Sequence, residues 1–344
     1  MAVHTGLDYM RSRTLVDCDT MDDEGDWSFY IVDYYHCQIT DYVLVAKTFG
    51  PFQDCTSNQA IALAELSKPE RFDVLTASRA EASILHLRHS IDENELAVEI
   101  AMVTLTLEMA KHIGGRVHVQ VNPYSSYSTE KIVVNALRIV QLFQNLQPGF
   151  NANRICIKIP STWEGMMACR TLELAGVHTL ATTLFSMTQA VLAAEVGCTY
   201  IAPYANELKV HFEAGYVDNA KLLPLCVAIQ KYYNSINSRI KVLPASLASV
   251  EDMFALAGAD HITISPGLLT QLTQPYAENV KSLFDVAPTL PIPARDVSFM
   301  NDPGRYKITF ARDQGGASQI KLTDAINIFC DAQDELERLL GSYL

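Results

Sequence analysis

The chain has 344 residues, 49% hydrophobic and 19% charged, the balance of a globular protein whose core needs no disulfide staples. Its net charge of −13 disfavours nucleic acid and anionic membranes as partners. No apolar run reaches the roughly eighteen residues that a membrane-spanning helix requires.

Along the chain, short β-rich runs alternate with segments of helical spacing. Residues 1–10 lack a basic stretch followed by an apolar one, so a secretory leader is not expected. The first β-rich run, 14–19, carries Asp17 and Asp19. Residues 22–43 then form a long connection dense in aromatics and acids. It reads as an aromatic lid, as an extra helix or hairpin, or as a poorly packed insertion. The second run, 51–58, ends in Asp54, Thr56 and Asn58. His86 and His89 follow on a helical stretch, without the third ligand that zinc requires, and read as surface residues. The third run, 117–122, offers Gln120 and Asn122, and helical spacing over 129–146 comes next.

The fourth run, 155–160, reads Ile-Cys-Ile-Lys-Ile-Pro and places Lys158 inside an apolar strand. A charged amine there is costly to bury unless it is paired or neutral. Burial lowers a lysine pKa, and a neutral amine is the nucleophile that forms Schiff bases with carbonyl compounds. The bland alternative is a structural lysine that snorkels out of a strand end or pairs with a carboxylate.

The remaining runs, 178–185, 200–206, 240–247 and 261–266, alternate with helical patterns over 163–175, 187–196, 250–257 and 267–283. A last helix, 322–340, is expected to pack back across the fold. Eight strand–helix units without a Gly-rich phosphate turn predict an α/β fold: one (β/α)8 TIM-barrel domain spanning 1–344, with 22–43 as an insertion. The eight cysteines are scattered, form no CxxC pair, and read as reduced, buried residues of a cytoplasmic protein.

In such a barrel the active site gathers at the C-terminal ends of the strands. Those ends bring together Asp17 and Asp19, Asn58, Gln120, Lys158, Thr182, Tyr204 with Asn206, Ser246 and Ser265. For Ser161, Ser246 and Ser265 the favoured reading is a cap on the next helix. The set otherwise supplies what an amine-catalysed aldol reaction needs, and no cofactor or metal is called for.

The strings QDCTSNQAI, IKIPSTWEG, TTLFSMTQA, IAPYANEL and LAGADHITISPGLL resemble class I transaldolases, over about 13–344 apart from the insertion. The resemblance implies a transaldolase-like enzyme that forms an imine between Lys158 and a ketose. It then transfers or releases a dihydroxyacetone-type unit, in pentose-phosphate-type carbohydrate metabolism. By the same resemblance Asp19 moves protons at the substrate hydroxyl, with Asp17 as the fallback in an ambiguous register. Asn58 orients the three-carbon unit, and Thr182 holds the catalytic water. Where transaldolases carry a glutamate, this chain has Gln120, which cannot relay a proton. Related bacterial fructose-phosphate aldolases resemble it there and at Tyr204, so a Gln120–Thr182–Tyr204 water site is expected. Ser246 and Asn206 are expected to contact substrate. Glu207 and Ala248 stand where the family's phosphate-binding arginines belong, and a glutamate there would repel a phosphate. Three readings follow: a sugar-phosphate transaldolase or aldolase, an enzyme of the same chemistry on an unphosphorylated carbonyl compound, or a non-catalytic binding barrel. The partner is a small-molecule carbonyl substrate, and a homodimer is left open.

Overall fold

The computed structural model describes residues 5–22, 45–89, 91–276 and 280–343. Apart from Asp22, the expected lid at 22–43 lies outside the described residues. In chain order the elements are α1 (Gly6–Arg11), β1 (Leu15–Asp19), α2 (Val45–Phe49), β2 (Cys55–Thr56), α3 (Gln59–Leu66), α4 (Phe72–His89), α5 (Glu93–Met109), β3 (Val117–Gln120) and α6 (Thr129–Leu146). There follow β4 (Ile155–Pro160), α7 (Trp163–Leu174), β5 (His178–Leu184), α8 (Met187–Val196), β6 (Tyr200–Pro203) and α9 (Leu223–Ser235). The chain ends with β7 (Lys241–Val242), α10 (Val250–Ala255), β8 (His261–Ile264), α11 (Pro266–Leu272), α12 (Pro303–Arg312) and α13 (Ala317–Gly341).

All eight strands are parallel, in the order β7-β6-β5-β4-β3-β2-β1-β8. The seam between β7 and β8 is spanned by the Thr263 N–H, which donates to the Pro244 carbonyl at 3.5 Å, and by Val242 N–H on the Asp260 carboxylate at 3.1 Å. The result is a nearly closed (β/α)8 TIM barrel. Its strands are covered on both faces, which is why β3 and β4 are buried at every residue. Outside, α6 buries Ile132, Ala136, Ile139 and Phe143 at helical spacing against the barrel.

Helix starts are set by side chains that accept otherwise unpaired N–H groups: Ser128 for α6, Thr162 for α7, Ser186 for α8 and Ser249 for α10. Three serines expected as caps do not act so. Ser161 donates its hydroxyl to the Thr182 carbonyl, Ser246 contacts His211, and Ser265 precedes α11 without a side-chain cap bond. Helix α11 also stops at Leu272, well short of the expected 283. Pro275 lies three residues on and disfavours helical backbone at the residue before it. The last helix begins earlier than expected, at Ala317, and packs against α3 and α5.

The turn after β4 is close-fitting. Gly165 donates its N–H to Thr162, and a methyl group at that position would overlap the Pro160 carbonyl oxygen. Gly165→Ala is therefore expected to lower stability by about 1–3 kcal/mol, the usual cost of overpacking, read as a lower denaturation midpoint. Full stability in that variant would show that the turn below Lys158 yields freely.

Candidate active site

A cavity of about 480 Å³ opens at the C-terminal ends of the strands. Strand β4 carries Lys158 into it, β1 carries Asp19, and the ends of β2, β6 and β7 lead to Asn58, Tyr204 and Ser246. Lys158 is only 3% exposed, and its Nζ donates to the Ser57 carbonyl at 3.2 Å. Burial pushes its pKa below the ordinary lysine value, and the Asp19 carboxylate offsets part of that shift. A neutral amine with one donor bond keeps its lone pair for a carbonyl carbon.

Asp19 and Asp17 share one face of β1 but occupy different layers. Asp19 Oδ1 accepts from Thr56 Oγ1 at 2.6 Å, and Thr56 Oγ1 lies 2.6 Å from Thr263 Oγ1. Thr56 has a single hydroxyl proton and gives it to Asp19, so Thr263 is the donor in the second bond. Asp17 lies deeper, is fully buried and does not line the cavity. Its carboxylate accepts from the Asp54 N–H at 2.9 Å and from His261 Nδ1 at 2.9 Å. Asp54 in turn accepts from the Arg116 N–H at 2.7 Å and meets His118 Nε2 at 3.2 Å. Burial works against the Asp54 carboxylate, yet His118 and that N–H hold it below the usual range. The ligand atoms of Asp17, Asp54 and His261 lie within 4.8 Å of one another, but the carboxylate oxygens already have partners inside the barrel. This layer braces the floor.

Thr182 and Tyr204 form a pair: Thr182 Oγ1 donates to the Tyr204 hydroxyl at 3.4 Å. Burial pushes the Tyr204 phenol up, so it stays protonated and retains a proton to donate. Pairing of β5 with β6 shifts register between Ala181 and Leu184, where Thr183 takes a left-handed φ of 54°. A β-branched residue there stores strain of about 1–3 kcal/mol, and such bulges re-aim neighbouring side chains. Gln120 pairs in register with Lys158, is 1% exposed, and has no hydrogen-bond partner on either amide atom among the described residues. Neither Gln120 nor Thr182 lines the open cavity.

Asn58 caps α3 by accepting from the Ile61 N–H at 3.0 Å, which leaves its NH2 group for a ligand. Asn206 stands behind the wall. Its amide donates to the Ser246 carbonyl at 2.8 Å and to Asp252 at 3.0 Å, and it does not line the cavity. Ser246 holds a left-handed φ of 56° and faces His211 Nε2 at 3.1 Å. Sequence reading missed His211, Thr263 and Phe329, all of which line the cavity. Among these only Thr263 carried a signal, as an inward position two residues before Ser265 on β8. His86 places Nδ1 3.2 Å from the carbonyl of Ala82 on its own helix, and both α4 histidines are half-buried.

A family model described as transaldolase/fructose-6-phosphate aldolase matches residues 37–340. The chain belongs to this family. It is 29% identical to a transaldolase of Prochlorococcus marinus, over 98% of this chain and 95% of that protein. Identity to a transaldolase of Schizosaccharomyces pombe is 29%, over 88% and 94%, and to one of Kluyveromyces lactis 31%, over 84% and 86%. The protein is thus a transaldolase-like enzyme. Glu207 does not project into its cavity: it accepts from the Tyr216 hydroxyl at 2.7 Å and pairs with Lys321 at 3.4 Å. Ala248 also stays off the lining.

Proposed function

We propose that Lys158 attacks the carbonyl carbon of a ketose, loses water to form an imine, and so makes the adjacent carbon–carbon bond breakable. Burial of a lysine whose hydrogen-bond partner among the described residues is a backbone carbonyl carries this reading. The Thr182–Tyr204 pair and the Gln120 amide, unpartnered among the described residues, offer donors and acceptors for the departing water. Asp19 accepts the hydroxyl proton of the imine, the bond breaks, an aldehyde leaves, and an enamine of the three-carbon unit remains on Lys158. Interception by a second aldehyde gives group transfer, and protonation gives simple cleavage. Asn58, Ser246 and Asn206 are proposed to position substrate, Asn206 through its hold on the Ser246 carbonyl. The reading extends to a cytoplasmic enzyme, supported by seven free cysteines among the described residues, acting alone or as a homodimer.

Borohydride in the presence of dihydroxyacetone is expected to fix the three-carbon unit on Lys158, seen by intact mass and peptide mapping. The lowered pKa sets the direction of the pH dependence: trapping persists to lower pH than an ordinary lysine of pKa about 10.4 would allow, and it fades on further acidification. A folded protein that traps no carbonyl compound would be a binding barrel instead.

A further inference from the structure

We infer that the aldehyde partner of this reaction is unphosphorylated and carries an apolar chain; the inference rests on the imine reading and names its acceptor. The polar lining comprises Lys158, Asp19 and Asn58 with Tyr204, His211, Ser246, Thr263, Ser265 and Gln271, and holds no guanidinium among the described residues. Beside them the lining carries apolar side chains: Ile61 and Ala64 from α3, Leu208 and Phe212 beyond β6, Leu268 from α11 and Phe329 from α13. Four separate elements thus turn apolar side chains onto the same space, which is how a site is shaped for an apolar ligand.

Charge points the same way. Among the described residues the basic side chains lining the cavity are Lys158 and His211. Burial lowers the His211 pKa against a smaller pull from Asp19, and Nε2 is held on the Ser246 hydroxyl at 3.1 Å. The neighbouring Lys321 is buried against Glu207 at 3.4 Å and Asp218 at 3.7 Å, and Lys209 pairs with Asp324 at 2.7 Å. A phosphate dianion would enter a cavity that already holds the Asp19 carboxylate and, among the described residues, would find no guanidinium to replace its water. An alkyl or aryl chain would displace water from apolar walls, a gain of about fourfold in affinity per buried methylene.

The test is aldol addition of dihydroxyacetone to propanal, butanal, pentanal and hexanal, compared with glyceraldehyde 3-phosphate, on the full chain. The expected result is a rise in kcat/KM of about two- to fourfold per methylene, with hexanal exceeding the phosphorylated aldehyde at least tenfold. A flat or falling series, or preference for glyceraldehyde 3-phosphate, overturns the proposal. Borohydride trapping of dihydroxyacetone alone reports the imine step separately, so an intact adduct with a flat series condemns only the acceptor. Saturation-transfer NMR with hexane-1,2-diol and glycerol 3-phosphate reads the cavity without any chemistry. Transfer to the diol's methylenes and none to the phosphate is expected, and the reverse overturns the inference even if no imine forms.

Discussion

Lys158→Met is expected to abolish turnover and borohydride trapping together while leaving the protein at least as stable as before. No other lysine lines the cavity among the described residues, so no second amine can take over the carbonyl. The rate loss should reach the background of the assay, since covalent catalysis splits one difficult step into easier ones and nothing else here replaces it. The stability half follows from proton linkage. The folded pKa of Lys158 lies below its unfolded value, so the unfolded chain binds the proton more tightly and the charged amine opposes folding at neutral pH. That penalty shrinks as pH rises toward the ordinary lysine pKa. Methionine has similar length and no charge, so it removes the penalty. The measurement is thermal melting near pH 7 beside the trapping assay. A variant that melts far below the parent would mean the amine holds the barrel together, and residual turnover would end the imine mechanism.

The barrel was legible in the sequence because its strands are apolar and regularly spaced. The fourth strand, 155–160, is found with the bounds its composition suggests, since all six residues are buried and Pro160 closes the run. The expected runs 51–58 and 240–247 shrink to Cys55–Thr56 and Lys241–Val242. There backbone bonds continue without a regular ladder: the Asp54 carbonyl still accepts from the Cys18 N–H, but the Asp54 N–H turns to the Asp17 side chain, Asn58 turns to cap α3, and Pro244 lacks an N–H. Sequence spacing left Asp17 and Asp19 equivalent, two residues apart on one face. Their difference arises from partners far away in the chain, His261 for Asp17 and the Thr56–Thr263 pair for Asp19. His211 and Phe329 were illegible for a related reason. One ends a short 3-10 helix and the other lies on a buried stripe of α13, and neither position shows what it faces until the barrel closes.

Asp19→Asn should separate two steps that a simple activity assay confounds. The amide still offers an oxygen to Thr56 Oγ1, whose own orientation is fixed by Thr263, so the side chain keeps its place beside Lys158. What it loses is the ability to take a proton. Imine formation with dihydroxyacetone needs no carbon–carbon cleavage, so borohydride should label Lys158 in this variant at close to the parent extent. Cleavage requires the hydroxyl proton to leave as the bond breaks, so turnover of a full-length ketose should fall about 10²–10⁴-fold, the usual contribution of a positioned general base. The variant should therefore accumulate the intact ketose as a trapped adduct, heavier by the unbroken carbon chain than the dihydroxyacetone adduct of the parent. Mass spectrometry distinguishes the two directly. An adduct of the three-carbon mass formed at the parent rate would remove Asp19 from the proton transfer and return attention to the Tyr204 hydroxyl, which also lines the cavity and stays protonated. Loss of labelling altogether would place Asp19 in imine formation itself, moving protons as the carbinolamine loses water, because removing a carboxylate that raises the Lys158 pKa leaves more neutral amine, not less.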